Sequence, residues 1–216
     1  MMNTKILPHE YSFIRKEVLN LISAYSSVNG RDVIDALQAI ATEHIDALVA
    51  DKPASLTALM QTMLDVKANR VTIEPALQTL KDDVVPFEQP TGKQLEKVFR
   101  KVKKLKQPEW ETMDLRDDSF LGWNDPGMGR KYVVIRNESG QLQGAYGVIE
   151  PTVQKGVCAI CQTIGNVSLF MAITKSGGDG TYTKSGNYIC RDSNRCNRQL
   201  SQLDSLHAFF ETVRAK

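Results

Sequence analysis

Residues 156–200 read GVCAICQTIGNVSLFMAITKSGGDGTYTKSGNYICRDSNRCNRQL, and this stretch holds every cysteine of the chain. The four fall into two close pairs, Cys158-x2-Cys161 and Cys190-x5-Cys196. A C-x2-C pair lets two thiolates grip one metal from a tight turn, where backbone amides also bond the sulfurs. Four sulfurs close a tetrahedron and leave no position for water, so the set predicts one structural Zn2+ ion. Zinc is preferred over iron, which the same sulfur tetrahedron also suits. Two disulfides or four unrelated buried thiols are the bland alternatives. Disulfides conflict with a reducing compartment, and unrelated thiols rarely fall into two close pairs. A redox C-x-x-C would sit beside a βαβ pattern that is missing here.

Around the cysteines the chain reads as strands and turns. Ser119–Trp123 is short and apolar, and Asn124-Asp125-Pro126-Gly127 is a turn signal. Residues 131–135 and 143–149 read as an antiparallel hairpin joined through Asn137-Glu138-Ser139-Gly140. Val167–Ile173 is a further strand, Ser176-Gly177-Gly178-Asp179-Gly180 a flexible loop, and Tyr188-Ile189 a short return strand. Cys196 precedes Asn197-Arg198-Gln199-Leu200 and is placed at a helix start, where the helix dipole favours thiolate. A knuckle, a hairpin and a second pair at a helix start describe a treble clef zinc finger. Residues 204–213 close this half as a helix, with Leu206, Phe209, Phe210 and Val213 on its apolar side.

The first half has helical periodicity instead. Tyr11, Ile14, Val18, Leu21, Ile22 and Tyr25 form one stripe, ended by Asn29-Gly30. Val33, Leu37, Ile40, His44 and Leu48 form a second, broken at Asp51-Lys52-Pro53. Leu56, Leu59, Met60, Met63 and Leu64 make a third with Ser55 as its N-cap, and Leu77, Leu80 and Val84 a fourth capped by Thr72. Pro75 is tolerated in the first turn of that helix. Pro86-Phe87-Glu88-Gln89-Pro90 then punctuates the chain. The expected fold is α+β: a four-helix bundle-like domain over 1–87, then a mixed domain over 88–216 with antiparallel strands and the treble clef.

Net charge is only +2, too weak to predict a nucleic-acid partner from the total. Its distribution says more. Lys93, Lys97, Arg100, Lys101, Lys103, Lys104 and Lys106 crowd one segment whose single acid is Glu96. Leu95, Val98, Phe99, Val102 and Leu105 give that segment an apolar stripe, so 93–106 reads as a basic amphipathic helix stopped by Pro108. No stretch approaches the ~18 apolar residues that span a bilayer. The N-terminal MMNTKILPHEYSFIRKEV does not read as a signal peptide, so a cytoplasmic protein without a membrane partner is expected.

Several ordered motifs carry a family likeness. They are Gly156-x-Cys158-x-Ile160-Cys161, Asn166–Met171, Tyr188-Ile189-Cys190-Arg191-Asp192-Ser193 and Cys196-Asn197-Arg198-Gln199-Leu200. Upstream, Pro8-His9-x-Tyr11, Val84–Glu88, Lys97–Lys104, Gly122-Trp123-Asn124 and Arg130-Lys131-Tyr132 join them. In this set the chain resembles the FusB-type elongation factor G-binding proteins, a family that includes fusidic acid resistance proteins. The resemblance implies binding of elongation factor G and its release from ribosomes stalled by fusidic acid, with no modification of drug or factor. It also implies a docking surface on the zinc module, where Tyr188 and Phe209 match aromatic positions. A phenylalanine is implied before the first cysteine and a lysine close before the Gly-x-Tyr. Val157 stands at the first place and Lys184-Ser185 at or beside the second.

Each of these residues has a plainer reading. Tyr188 alternates with apolar Ile189, which points it outward, whereas Phe209 shares a helix with core-type neighbours. Two adjacent phenylalanines do not both face one core comfortably, so one of Phe209 and Phe210 is open to exposure, with core packing at least as much expected. Trp123 reads as a packing residue, and His44 as a satisfied core histidine. His9, His44 and His207 are scattered, no nucleophile–base pair appears, and Gly177–Gly180 lacks the lysine of a phosphate loop. An enzyme is not expected. The alternative to factor binding is direct RNA contact through 93–106, with the ribosome otherwise met only indirectly.

Overall fold

The computed structural model describes residues 5–176 and 181–214, so the loop expected over 177–180 lies outside the described residues. The chain divides into two compact units, Met1–Pro86 and Phe87–Lys216.

The first unit holds four helices: α1 (Pro8–Ser27), α2 (Arg31–Leu48), α3 (Ala54–Met63) and α4 (Arg70–Asp82). Their apolar stripes meet in one core around Ile14, Val18, Ile45, Leu59, Ile73 and Leu77. Past α4, Val84 bridges Ile6 and closes the unit. The stripe on α2 keeps Leu37 and Leu48 of the expected one, both packed against the core, but its centre is shifted. Ala41 and Ile45 hold its centre, while Val33 and Ile40 are exposed. A small residue occupies the middle of the buried face, and a search for large side chains passes over it. His44 consequently lies outside the core, with Nδ1 2.7 Å from Glu17 Oε2.

Two expected caps also move. Ser55 lies inside α3, its hydroxyl donating to the Asp83 carboxylate. At α4 the cap is Asn69, whose Oδ1 accepts from the backbone N–H groups of Val71 and Thr72. Thr72 answers from the third helical position by accepting from Asn69 N at 2.9 Å, completing a capping box. Pro75 therefore sits beyond the first turn, where its missing N–H forfeits one helical bond.

The second unit is an antiparallel sheet with cover on both faces. Its strands are β1 (Leu121–Asp125), β2 (Arg130–Arg136), β3 (Leu142–Ile149), β4 (Gln154–Val157), β5 (Ile164–Ser176) and β6 (Tyr182–Cys190). The order runs β1-β2-β3-β5-β4, with β6 also on β5. Strand β5 is shared by three neighbours: Val167 pairs with Gln154 of β4 and Cys190 of β6, and Phe170 with Ile149 of β3. Strand β4 was not anticipated. Its residues are nearly all exposed, so the alternation that marks a half-buried strand is absent. The return strand β6 is nine residues long, well beyond the Tyr188-Ile189 expected.

One face of the sheet packs Val133, Ile135, Ala145, Ile149, Phe170 and Ile189 under helix α7 (Asp204–Val213). Both phenylalanines of α7 are buried, Phe209 at 4% exposure, and Phe209 packs on Phe170 with ring centroids 5.8 Å apart. Of the two readings core packing holds for both, because α7 lies in a trough between sheet and zinc module that buries a wide arc of its surface.

The opposite face of β1–β3 is covered by residues 87–115. Trp123 stacks on Tyr132 at 5.1 Å, and the edge of Phe99 meets both rings. The expected long basic helix is here only α5 (Gly92–Val98). Its apolar residues do face the sheet, but the backbone turns at Phe99 and reaches a positive φ of 55° at Lys104. Beyond the turn Val102 and Leu105 still pack, partly buried, against the same layer. No described helix is long and apolar enough to cross a membrane.

Candidate metal centre and partner surface

The cysteines come from three elements that converge at one end of β5. Cys158 and Cys161 lie in the turn between β4 and β5, Cys190 ends β6, and Cys196 lies in helix α6 (Ser193–Gln199). Cys196 is the fourth residue of that helix and its N–H already bonds Asp192 O, so it sits one turn past the position expected of it. All four sulfurs lie within 4.8 Å of one another and all four residues are buried. Cys158 and Cys196 Sγ are 3.7 Å apart, and Cys161 and Cys190 Sγ 3.8 Å. Sulfurs at zinc-bond distance from the centre of a tetrahedron are separated by about 3.8 Å, whereas a disulfide needs about 2.05 Å. The spacing is that of a metal site.

Charge leads to the same conclusion. Among the thiols alone, hydrogen bonds from Cys161, Cys190 and Cys196 pull Cys158 well below the ordinary thiol value. Cys190 and Cys196 are pushed up, foremost by their hydrogen bonding to Cys158. Cys161 is lowered to about 7, so two of the four are drawn toward thiolate and two away from it, and all four together as thiolates call for a dication to balance them. Backbone donors complete the knuckle: Ile160 N and Cys190 N bond Cys158 Sγ at 3.4 and 3.3 Å. Gln162 N donates to Cys158 O at 2.9 Å, and a φ of 56° at Gln162 then turns the chain so that Thr163 O accepts from Cys158 N at 3.1 Å.

The ligand helix is anchored from far upstream. Asn197 is buried, donates through Nδ2 to Asp118 Oδ1 at 2.7 Å and Phe120 O at 2.9 Å, and accepts from Ser119 N at 2.9 Å. Gly122 lets β1 approach the start of α6, since a Cβ there would lie 2.8 Å from Ser193 Cβ. Beside it, Lys131 Nζ donates to Arg191 O at 2.9 Å and Ser193 Oγ at 2.6 Å. Neither Asn197 nor Lys131 was singled out from the sequence. Lys131 did carry a signal: it shares the period-two face of Val133 and Ile135, where a charged residue is out of place.

The five residues expected at a partner surface are not equivalent. In the register, Leu169↔Tyr188, Met171↔Gly186 and Ile173↔Lys184 pair across β5 and β6, and Val148 of β3 pairs with Met171. Cross-strand partners share a face, opposite the one that buries Phe170 and Ile189. On it Tyr188 is 38% exposed, and Ile173, Val148 and Lys184 are exposed with it. Lys184 Nζ rests 5.3 Å from the Tyr182 ring centre. Val157 is 53% exposed on the knuckle, paired with Ile164, and Ala159 N ties the knuckle to Tyr188 O at 2.9 Å. Ser185 points the other way, half-buried beside Thr174. Phe209 is buried in the core at 4% exposure, so of the five it offers the least surface to a partner.

Comparison with known proteins agrees with this architecture. A family model described as elongation factor G-binding protein, N-terminal, matches residues 5–88, and one described as FBP C-terminal treble-clef zinc-finger matches residues 95–211. A solved structure of the fusidic acid resistance protein FusC is 35% identical, with a TM-score of 0.90, covering 99% of this chain and 100% of that chain. No curated protein matches the chain.

Proposed function

The chain belongs to the elongation factor G-binding protein family with a C-terminal treble-clef zinc finger, and on that premise we propose that it binds elongation factor G and promotes its release from ribosomes stalled by fusidic acid. The observation that carries the reading is the uncovered face of β5–β6. Tyr188, Ile173 and Lys184, with Val148 of adjoining β3, are exposed on it, while the opposite face is packed under α7. Such a face has the makings of an interface core, an apolar centre with charge at its edge. Tyr188 and Lys184 are its proposed contacts, with Val157 on the adjoining knuckle. The zinc fixes their geometry and takes no part in chemistry. Binding would favour a conformation of the factor with lower ribosome affinity, since a ligand shifts an equilibrium only by its differential affinity.

Calorimetric titration of the zinc-loaded protein into elongation factor G tests this directly. Saturable binding is expected, and Tyr188→Ala should weaken it about tenfold or more without changing Tm. Unchanged affinity in that variant would move the site elsewhere, and no binding would remove the reading. Release is tested separately, by sedimenting fusidic acid-stalled ribosomes with and without the protein and measuring the factor that remains bound.

A second reading draws on the basic segment. All seven cations from Lys93 to Lys106 are exposed, against the one acid Glu96. That surface suits ribosomal RNA phosphate in addition to the factor. Binding through it would fall steeply with salt, whereas the apolar face would lose little.

A further inference from the structure

Lys131 is 1% exposed, so its ammonium has lost essentially all contact with water. Three oxygens surround it: Arg191 O at 2.9 Å, Ser193 Oγ at 2.6 Å and Asn124 Oδ1 at 3.3 Å. They satisfy its three donors, but none of the three carries a charge. A buried cation held only by neutral acceptors is costly unless opposite charge lies nearby. Burial pushes Lys131 down to about 8, and acting against that push are Asp192 and, where they are held as thiolates, Cys196, Cys190 and Cys158. Three of those four are the sulfurs of the metal centre. Asp192 is engaged at the start of α6, accepting from Asn194 N and Arg195 N.

The metal centre has the complementary problem. Four thiolates around a dication leave two negative charges in a buried site. The segment that Lys131 holds, Arg191 to Ser193, also joins ligand Cys190 to the helix bearing ligand Cys196. Asn124 bonds the same Arg191 carbonyl through Nδ2 at 3.1 Å. Charge and position therefore coincide in one side chain.

We propose that Lys131 is the buried counter-ion of the zinc tetrathiolate, holding the turn between the second pair of ligands and offsetting the negative charge of the loaded site. The inference rests on the metal reading of the cysteines and extends it to a residue outside the ligand set. Loading exchanges thiol protons for a dication and makes the site more negative. A fixed positive charge beside it therefore favours the loaded state. Lys131 acts through the ligands and touches no partner, so it is a positioning residue.

The test uses the full chain. Zinc affinity is measured by chelator competition for the parent and for Lys131→Met, which keeps the length of the side chain and removes the charge. Lys131→Gln, which keeps some hydrogen bonding, stands in if the methionine variant does not fold. Affinity should fall roughly tenfold or more, the range seen when the outer shell of a metal site is changed. Cobalt loading gives a second readout: without the cation, sulfur-to-metal charge transfer should move to lower energy. Asn124→Ala removes a hydrogen bond from the same turn with no change of charge, and should leave the band in place. Parent-like affinity in the lysine variants, or weaker affinity with an unshifted band, would overturn the counter-ion role. A parent protein that takes up neither zinc nor cobalt would instead overturn the metal reading beneath it.

Discussion

At the centre of the helical unit Ile14, Ile45, Leu56, Leu59, Ile73 and Leu77 meet, and Ser12 is its one buried polar residue among those described. The other unit buries Asp118, Asp125, Lys131, Ser168, Thr174, Ser193 and Asn197 along with its hydrophobic residues. Four of these, Asp118, Lys131, Ser193 and Asn197, hold the turn and helix that carry the second pair of cysteines. An apolar core needs only volume and shape, and tolerates substitution if both are kept. A polar network around a metal needs every partner in place, because a buried group left without one costs the full desolvation penalty. The helical unit is thus specified by many interchangeable contacts, and the zinc end by a few that cannot be exchanged.

The largest test of that contrast is Cys158→Ser. Structural zinc supplies folding free energy, about 10–16 kcal/mol in small zinc-binding peptides, so the variant should lose metal and the folded sheet unit together. Circular dichroism should retain the helical signal of α1–α4, while near-ultraviolet signal from the Trp123–Tyr132 stack disappears. A soluble, metal-free variant with that stack intact would break the comparison. Next in size is Leu59→Ala in the helical core, expected to cost about 2–5 kcal/mol by thermal or urea unfolding. Its zinc affinity should equal that of the parent, and a shift there would mean the two units are not energetically separate. The smallest is Gln162→Gly in the knuckle. Gln162 holds a φ of 56°, which costs a residue with a side chain about 1–2 kcal/mol, but its Nε2 also donates to Ala159 O at 3.0 Å. A net gain below about 1 kcal/mol is expected in Tm measurements on the loaded protein. A loss would show that the side-chain bond outweighs the backbone strain.

The same contrast explains what the sequence disclosed. Four helices, the β2–β3 hairpin and α7 were legible because each has a clear period and a plain boundary signal. The metal ligands were legible because cysteine pairs have few other uses. Errors gathered where tertiary contact overrides local pattern. The α2 face was misread because Ala41 sits at its centre, and 93–106 because an apolar stripe persists through turns that only the sheet beneath explains. That both Phe209 and Phe210 are buried was not legible, because neighbouring phenylalanines suggest opposite faces until the trough that receives both is known. Asn197 and Lys131 work through partners far away in the chain, and local spacing names none of those partners, although the strand period does set Lys131 on the buried face.

The return strand β6 has a further consequence. It is nine residues long and pairs with no strand but β5 among those described. A long exposed strand margin invites addition of another chain, and with it polymerisation. Here the margin is occupied from within. The knuckle takes Tyr188 O through Ala159 N, and Asn187 folds its own Oδ1 back to 2.8 Å from Tyr188 N. Farther along, Lys184 sets a charge on the strand, and the pairing slips register between Ile173 and Lys175. The margin is thus engaged from within at its Tyr188 end, beside the face proposed for a partner, and that end is not free to pair with a second copy of the chain.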